Sequence, residues 1–335
     1  MLYDLEKLRA IDEEFNSILY DCFRGLMLSG NSQSGPVFRA NLHEDNRAYI
    51  QTDYFLNTEK TTKYFHLTSV SNLLSILNSR TFRLYNLHTS NDVEEYGHVA
   101  KMIEIDEQRI KAIKHHLYTF SFCPLSEINN QKVWDIYGNK LGGVAIVFTI
   151  DNNPADWKRF HISTVKYETP QNFIEFKSRM QALKIKYPYY QFDCDLSPLI
   201  CFHKESKWKE EKEIRIAAYK PYKHFEEELK YSKPDIRLEK DRNRIVSYVE
   251  LPIWVDNSSS NLRNDQFPEL DRTQNLPSSF FETHPKLIIR EIIFGQNCGI
   301  HPNEFDTYRR MIREIFDINY GYSIDMDYDL FQINS

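Results

Sequence analysis

Four short groups of residues in this 335-residue chain set ionisable or hydroxyl side chains beside aromatic ones, and no two fall in one local element. They are Tyr64-Phe65-His66-Leu67-Thr68-Ser69, Asn91-Asp92 followed by Glu94 and Glu95, Trp134-Asp135-Ile136-Tyr137, and Trp208-Lys209-Glu210-Glu211-Lys212-Glu213-Ile214-Arg215. Gathered round one pocket, such residues could hydrogen-bond a polar ligand, stack on its planar parts and set a carboxylate at a reacting centre. In a strand that begins early enough, Glu211, Glu213 and Arg215 project from one face. In a helix, Glu211 and Arg215 would instead form a surface i, i+4 pair. Trp134 and Trp208 read as core anchors, and Asn91-Asp92 serves equally as a helix cap or as part of a site.

Other chemistries have weaker support. No H-E-x-x-H occurs, and the adjacent His115 and His116 point opposite ways in an extended segment, so metal-dependent hydrolysis is a secondary reading. A thiol nucleophile would have to be Cys123 or Cys201 near His203. With only ten glycines and neither G-x-G-x-x-G nor G-x-x-x-x-G-K-[ST], Gly-rich phosphate loops are excluded. The net charge of −6 argues against a strongly basic nucleic-acid-binding body, leaving room only for a local basic groove. Five scattered cysteines without C-x-x-C read as reduced intracellular thiols. The absence of a basic leader and of a membrane-length apolar run points to a soluble cytoplasmic protein with no membrane contact.

The elements that must position these groups follow from periodicity. Leu5, Leu8, Ile11, Phe15, Leu19, Cys22 and Leu26 form the stripe of an amphipathic helix, which either docks on its own domain or faces a partner. Residues 37–60 show little periodicity. A strand at 64–67 runs into a helix capped by Ser69, and a second strand at 81–85 leads through a loop into a helix over 93–113. Further strands are expected at 117–123, 143–148, 161–167, 213–219 and 287–294, with helices at 170–188 and 302–316. The spacing predicts an α+β domain over 61–316, with a mixed or antiparallel central sheet and flanking helices. It would be preceded by a helix and polar extension over 1–60, carry a charged surface insertion at 220–245 and a loop at 256–274, and end in an acidic tail at 317–335.

The order of motifs resembles the bacterial "domain of unknown function 2971" family: His66-x-Thr68-Ser69, Asn91-Asp92-x-x-Glu95, Ser-Phe, Trp134-x-x-Tyr137, a buried strand after Gly142-Gly143, Lys204, Trp208-x-x-Glu211-x-Glu213-x-Arg215 and Ile292-Ile293-Phe294-Gly295. More distantly, His-x-Thr on a strand running into a helix, a downstream aromatic and a late Glu resemble the His-Tyr-Glu layout of ADP-ribosyltransferases. That resemblance implies an ADP-ribosyltransferase-like fold and NAD as co-substrate. His66, Thr68 and Ser69 would hold the NAD, Tyr137 or Tyr85 would stack on nicotinamide, and Glu213 or Glu211 would be catalytic. Arg215 would pair with a phosphate or brace the carboxylate, and Asn91 would assist binding. The implied reaction is ADP-ribosyl transfer to a macromolecule by a toxin or antiphage effector, with an antitoxin-like protein as possible partner. A nucleic-acid acceptor is favoured slightly over protein, because Lys177, Arg179, Lys184 and Lys186 could neutralise a phosphate backbone. The alternatives are a metal-dependent nuclease using Glu211, Glu213 and Lys204, and a non-catalytic nucleotide-sensing module.

Overall fold

The computed structural model describes residues 5–42, 46–89, 96–219, 235–239, 244–255, 284–301 and 304–320. Asn91, with its neighbours Asp92, Glu94 and Glu95, lies outside these residues, as do most of the expected insertion, the 256–274 loop and most of the tail.

Eight helices are described: α1 (Leu5–Cys22), α2 (Val70–Ser79), α3 (Gly97–Met102), α4 (Glu107–Lys114), α5 (Gln131–Tyr137), α6 (Gln171–Lys186), α7 (Ser197–Ile200) and α8 (Phe305–Tyr320). Twelve strands accompany them: β1 (Leu28–Ser34), β2 (Val37–Leu42), β3 (Lys63–Thr68), β4 (Thr81–Asn86), β5 (Leu117–Pro124), β6 (Val144–Ile150), β7 (Phe160–Thr164), β8 (Gln191–Cys194), β9 (Ile214–Tyr219), β10 (Asp235–Glu239), β11 (Arg244–Val255) and β12 (Leu287–Phe294). The architecture is α+β with a mixed sheet, because β11–β12 and β2–β8 are parallel while the other pairs are antiparallel.

The principal sheet closes on itself. Strands β3, β6, β12, β11 and β4 pair in sequence, and β5 completes the circuit by pairing with both β3 and β4. On one edge of β5, β3 lies opposite 123–124 and β4 opposite 118–119, whereas β9 lies along the other edge and carries β7 beyond it. Alternation along each strand separates two faces. Tyr64, Phe82, Phe120, Phe122, Ile146 and Phe148 turn inward onto Leu73 and Leu77 of α2 and Ile312 of α8. The next residues turn outward, where Phe65, Cys123 and Val147 meet Val133 and Trp134 of α5 in one cluster. A separate outer cluster joins α1, α6 and α7, with Leu117 and Ala217 of the sheet. The inner rings stack or cross at centroid distances such as 4.8 Å for Phe82–Phe120, and each such buried ring contributes about 1.5–3 kcal/mol through lost water contact.

Several elements differ from the periodicity reading. The helix expected over 93–113 is broken between α3 and α4 by Glu104, at φ 64, and restarts at Asp106, whose carboxylate caps Arg109 N at 2.8 Å. The weakly periodic stretch after α1 contains the β1–β2 hairpin, a polar pairing around Gly35 with little apolar signal. Within the expected insertion, 235–239 forms β10 against β11. The stripe of α1 docks within the chain: Leu8, Ile11, Phe15, Ile18 and Leu19 are buried, and α1 packs on α6.

Candidate functional site

Four elements bring ionisable groups together on the outer face of β5 and β9, between the two outer clusters. Lys212 adopts φ 49 between a 3-10 turn (Ser206–Glu211) and β9, and both flanking glutamates are buried against the outer face of the sheet rather than aligned along one strand. Lys204 reaches Glu211 Oε2 at 2.9 Å and Glu213 Oε2 at 2.6 Å. Arg215 clamps Glu213 Oε1 through Nε at 2.9 Å and Nη2 at 2.8 Å, while its Nη1 donates to the Cys201 carbonyl. Ser121 Oγ, from the paired position on β5, also donates to Glu213 Oε1. Tyr167 receives the Glu213 backbone N–H at 3.0 Å, and Tyr137 meets the Glu211 carboxylate.

The cluster is dry and balanced in charge. Glu211 and Glu213 are each 2% exposed and Arg215 is 1% exposed, so two carboxylates share two cations almost without solvent. Tyr137 is the more open member, 38% exposed as a residue, although burial still pushes its hydroxyl pKa up. Buried ion clusters are often no better for stability than well-packed apolar residues, so this one has no simple stability rationale.

The two carboxylates are driven apart. Burial pushes Glu213 upward, but Arg215 and Lys204, with hydrogen bonds from Lys204 and Ser121, overcome this and hold it at about 2. Burial also raises Glu211, and there it prevails over Lys204 and Tyr137, with the Glu213 charge adding to the rise. Glu213 is therefore a fixed anion and Glu211 the group able to exchange a proton, the pattern that separates acid/base roles in paired carboxylates. Burial, then Glu213 and Glu211, push the neighbouring Cys123 thiol to about 12, which removes it as a thiolate nucleophile.

Glu211, Glu213, Arg215 and Tyr137 converge as one constellation. Tyr85 shares the outer face, one row along, opposite Thr119. His66 does not join it: its ring turns inward against Phe82 and Phe120, at 5.7 and 4.8 Å. Its Nδ1 donates at 2.9 Å to the Ser121 carbonyl, beyond the point where the β3–β5 ladder ends, and burial pulls its pKa down to about 4. Thr68 lies two residues on, buried on the same side of β3. Ser69 caps α2 by accepting Asn72 N at 3.1 Å. The NAD-holding group drawn from the distant resemblance is thus split by the sheet wall.

Ser121, the serine of the Ser-Phe motif, was given no role by the sequence, and Tyr167 was not singled out and leaves no local signal. Trp134 is the core anchor expected of it, fully buried with Nε1 donating to the Ile128 carbonyl at 2.6 Å. The basic face of α6 is largely committed within the chain, through Lys177–Glu104, Arg179–Asp21 and Lys186–Glu14 pairs.

No curated protein and no solved structure matches the chain. Among the described residues, no helix is long and apolar enough to cross a membrane. Residues 133–216, the stretch that supplies Tyr137, Lys204, Glu211, Glu213 and Arg215, match the family described as "Protein of unknown function (DUF2971)".

Proposed function

We propose that this chain is an NAD-dependent ADP-ribosyltransferase acting on a macromolecular acceptor, with the Glu211–Lys204–Glu213–Arg215 cluster as its catalytic centre. One observation carries the reading: two carboxylates, Glu211 and Glu213, are buried side by side against Lys204 and Arg215, next to the partly exposed Tyr137. Cleavage of a glycosidic bond to nicotinamide develops positive charge on the ribose, which a preorganised carboxylate stabilises only in the transition state. Glu213, braced by Arg215 and Lys204, supplies fixed negative charge, and Glu211 takes the acceptor proton. Tyr137, partly exposed, offers its ring to the nicotinamide. Of the residues assigned to NAD, Tyr137, Glu211, Glu213 and Arg215 converge, while His66 and Thr68 lie on the inner side of the sheet. His66 and Thr68 act from behind the wall, where His66 holds the Ser121 carbonyl and Ser121 in turn holds Glu213.

The direct test is transfer of label from adenylate-labelled NAD to RNA or protein. Glu211→Gln should lower the rate by about 10²–10⁴-fold while retaining the fold by circular dichroism. NAD turnover untouched by both Glu211→Gln and Glu213→Gln would sink the proposal. A second reading, phosphodiester hydrolysis assisted by a divalent cation, would need the position that Lys204 fills between the two carboxylates, and among the described residues no group of three or more His, Cys, Asp or Glu side chains could hold a metal. That reaction would proceed without NAD and stop on adding EDTA.

A further inference from the structure

The outer face of the sheet continues past the carboxylate cluster onto β4 and β11, and there Arg83 has no part in the reaction assigned to the glutamates. Register fixes its neighbours. Tyr248 of β11, Tyr85 of β4, Thr119 of β5 and Ala217 of β9 lie opposite one another across four strands, and Arg83 pairs with Glu250 in the adjoining row. Alternation turns Arg83 and Tyr85 outward, since Phe82 and Leu84 point into the barrel core. Ser121, which holds Glu213, lies outward on β5 two residues beyond Thr119. Leu117 and Cys123, at the two ends of this stretch of β5, are buried in the flanking outer clusters. Thr119 and Ser121 between them, like Arg83 and Tyr85, keep part of their surface exposed. The strip between the clusters is thus an open, hydroxyl-lined floor running from Arg83 to the glutamates.

Arg83 is held but not satisfied. Its guanidinium carbon lies 4.7 Å from the Tyr248 ring centre, and the Tyr85 ring stands 6.2 Å from that of Tyr248. Glu250 Oε1 is 3.9 Å from Arg83 Nε, beyond hydrogen-bond reach, and the Glu250 side chain is 42% exposed. Nε is shut off from water without a hydrogen bond, and among the described residues the guanidinium has no other ion pair. Its terminal nitrogens, unlike Nε, stay in contact with solvent on a side chain 17% exposed. A guanidinium already seated on an aromatic ring loses little further freedom on binding, and its fork of donors matches two oxygens of a phosphate. A half-desolvated cation with one loose counter-ion favours an incoming anion.

We propose that Arg83, seated on Tyr248, binds the diphosphate of a nucleotide whose ribose end reaches the carboxylate cluster. This rests on the transferase reading of that cluster and adds to it a residue that selects phosphate-bearing ligands. Strand spacing puts β4 about 10 Å from β9, a reach that an extended dinucleotide covers. ADP and adenosine, titrated into the full chain by calorimetry, differ only in the diphosphate. ADP should bind about tenfold or more tightly than adenosine, and Arg83→Gln should remove that advantage, the effect of losing a charge-assisted contact. Arg83→Lys keeps the charge but not the fork and should recover only part of the loss. Glu250→Gln removes the competing carboxylate and should tighten ADP. In label transfer, Arg83→Gln should raise the KM for NAD more than it lowers kcat. ADP binding is read without turnover, so a chain that never consumes NAD would refute the transferase reading while Arg83 is judged by ADP alone. The proposal is overturned if ADP binds no better than adenosine, or if Arg83→Gln binds ADP as tightly as the unaltered chain. Should Arg83→Gln fail to fold, Glu250→Gln decides, with unchanged ADP affinity counting as refutation.

Discussion

Arg215 and Ser121 distinguish Glu213 from Glu211, since Lys204 touches both. The Lys204 ammonium lies within 3 Å of both carboxylates, whereas the Arg215 guanidinium grips Glu213 through Nε and Nη2. If Glu211 is the base of the proposed reaction, the activity should rise with pH through its raised pKa. Lys204 is the leading group that lowers that pKa, so Lys204→Met should move the acidic limb of the pH–rate profile to higher pH. An unchanged limb would assign the titration to another group. The sequence left Glu213 and Glu211 as alternatives. Local pattern cannot show that Arg215 and Ser121 lock Glu213 as an anion, because Ser121 arrives from a strand 92 residues away.

At the level of elements, α1 and α2 had legible periodicity but uneven consequences. The α1 stripe was open between self-docking and a partner, and the structure seats it on α6. Phe15 is fully buried there, so Phe15→Ala should destabilise the protein by about 3–5 kcal/mol in urea unfolding. Leu5, at 78% exposed, marks the opposite end of the range, and Leu5→Ala should change stability by less than about 0.5 kcal/mol. Ser69 was placed both as the α2 cap and, through the distant resemblance, at the cofactor; its contacts favour the cap. Ser69→Ala should cost about 1 kcal/mol and leave NAD turnover unchanged once the protein is folded. A fall in turnover without loss of stability would return Ser69 to the site. The broken helix at Glu104 and the β1–β2 hairpin went unread because a positive-φ residue and polar strand pairing leave no apolar period to detect.

Among the described residues, burial holds His66 and His161 down at about 4 and His203 at about 3, against an ordinary value of 6.5. The unfolded chain binds protons that the folded chain refuses, so their contribution is complete above pH 6.5 and falls as pH drops toward 4. Glu213 extends the trend, since its depressed pKa contributes stability above 4.5 that is lost as pH falls toward 2. Glu211 acts in the opposite sense, but as one group against three histidines. Urea unfolding at pH 7.5, 6 and 5 should give steadily decreasing free energies; a flat or rising series would contradict the neutral burial of these rings.

The sequence by itself determined the α+β class and most of the central strands, and it grouped Glu211, Glu213 and Arg215 as one strand face or, alternatively, a surface i, i+4 pair. Alternation and apolar runs report which side of a strand is buried, and close spacing keeps that trio together. Tertiary structure decided the closed circuit of the sheet, the seat of α1 and the separation of His66 and Thr68 from the glutamates. It also supplied Ser121 and Tyr167 and set Lys204 between the carboxylates. The reason is geometric. Periodicity distinguishes two faces of a strand, but only the pairing of β5 with β3, β4 and β9 decides which face becomes the inside of the barrel and which carries the charged cluster.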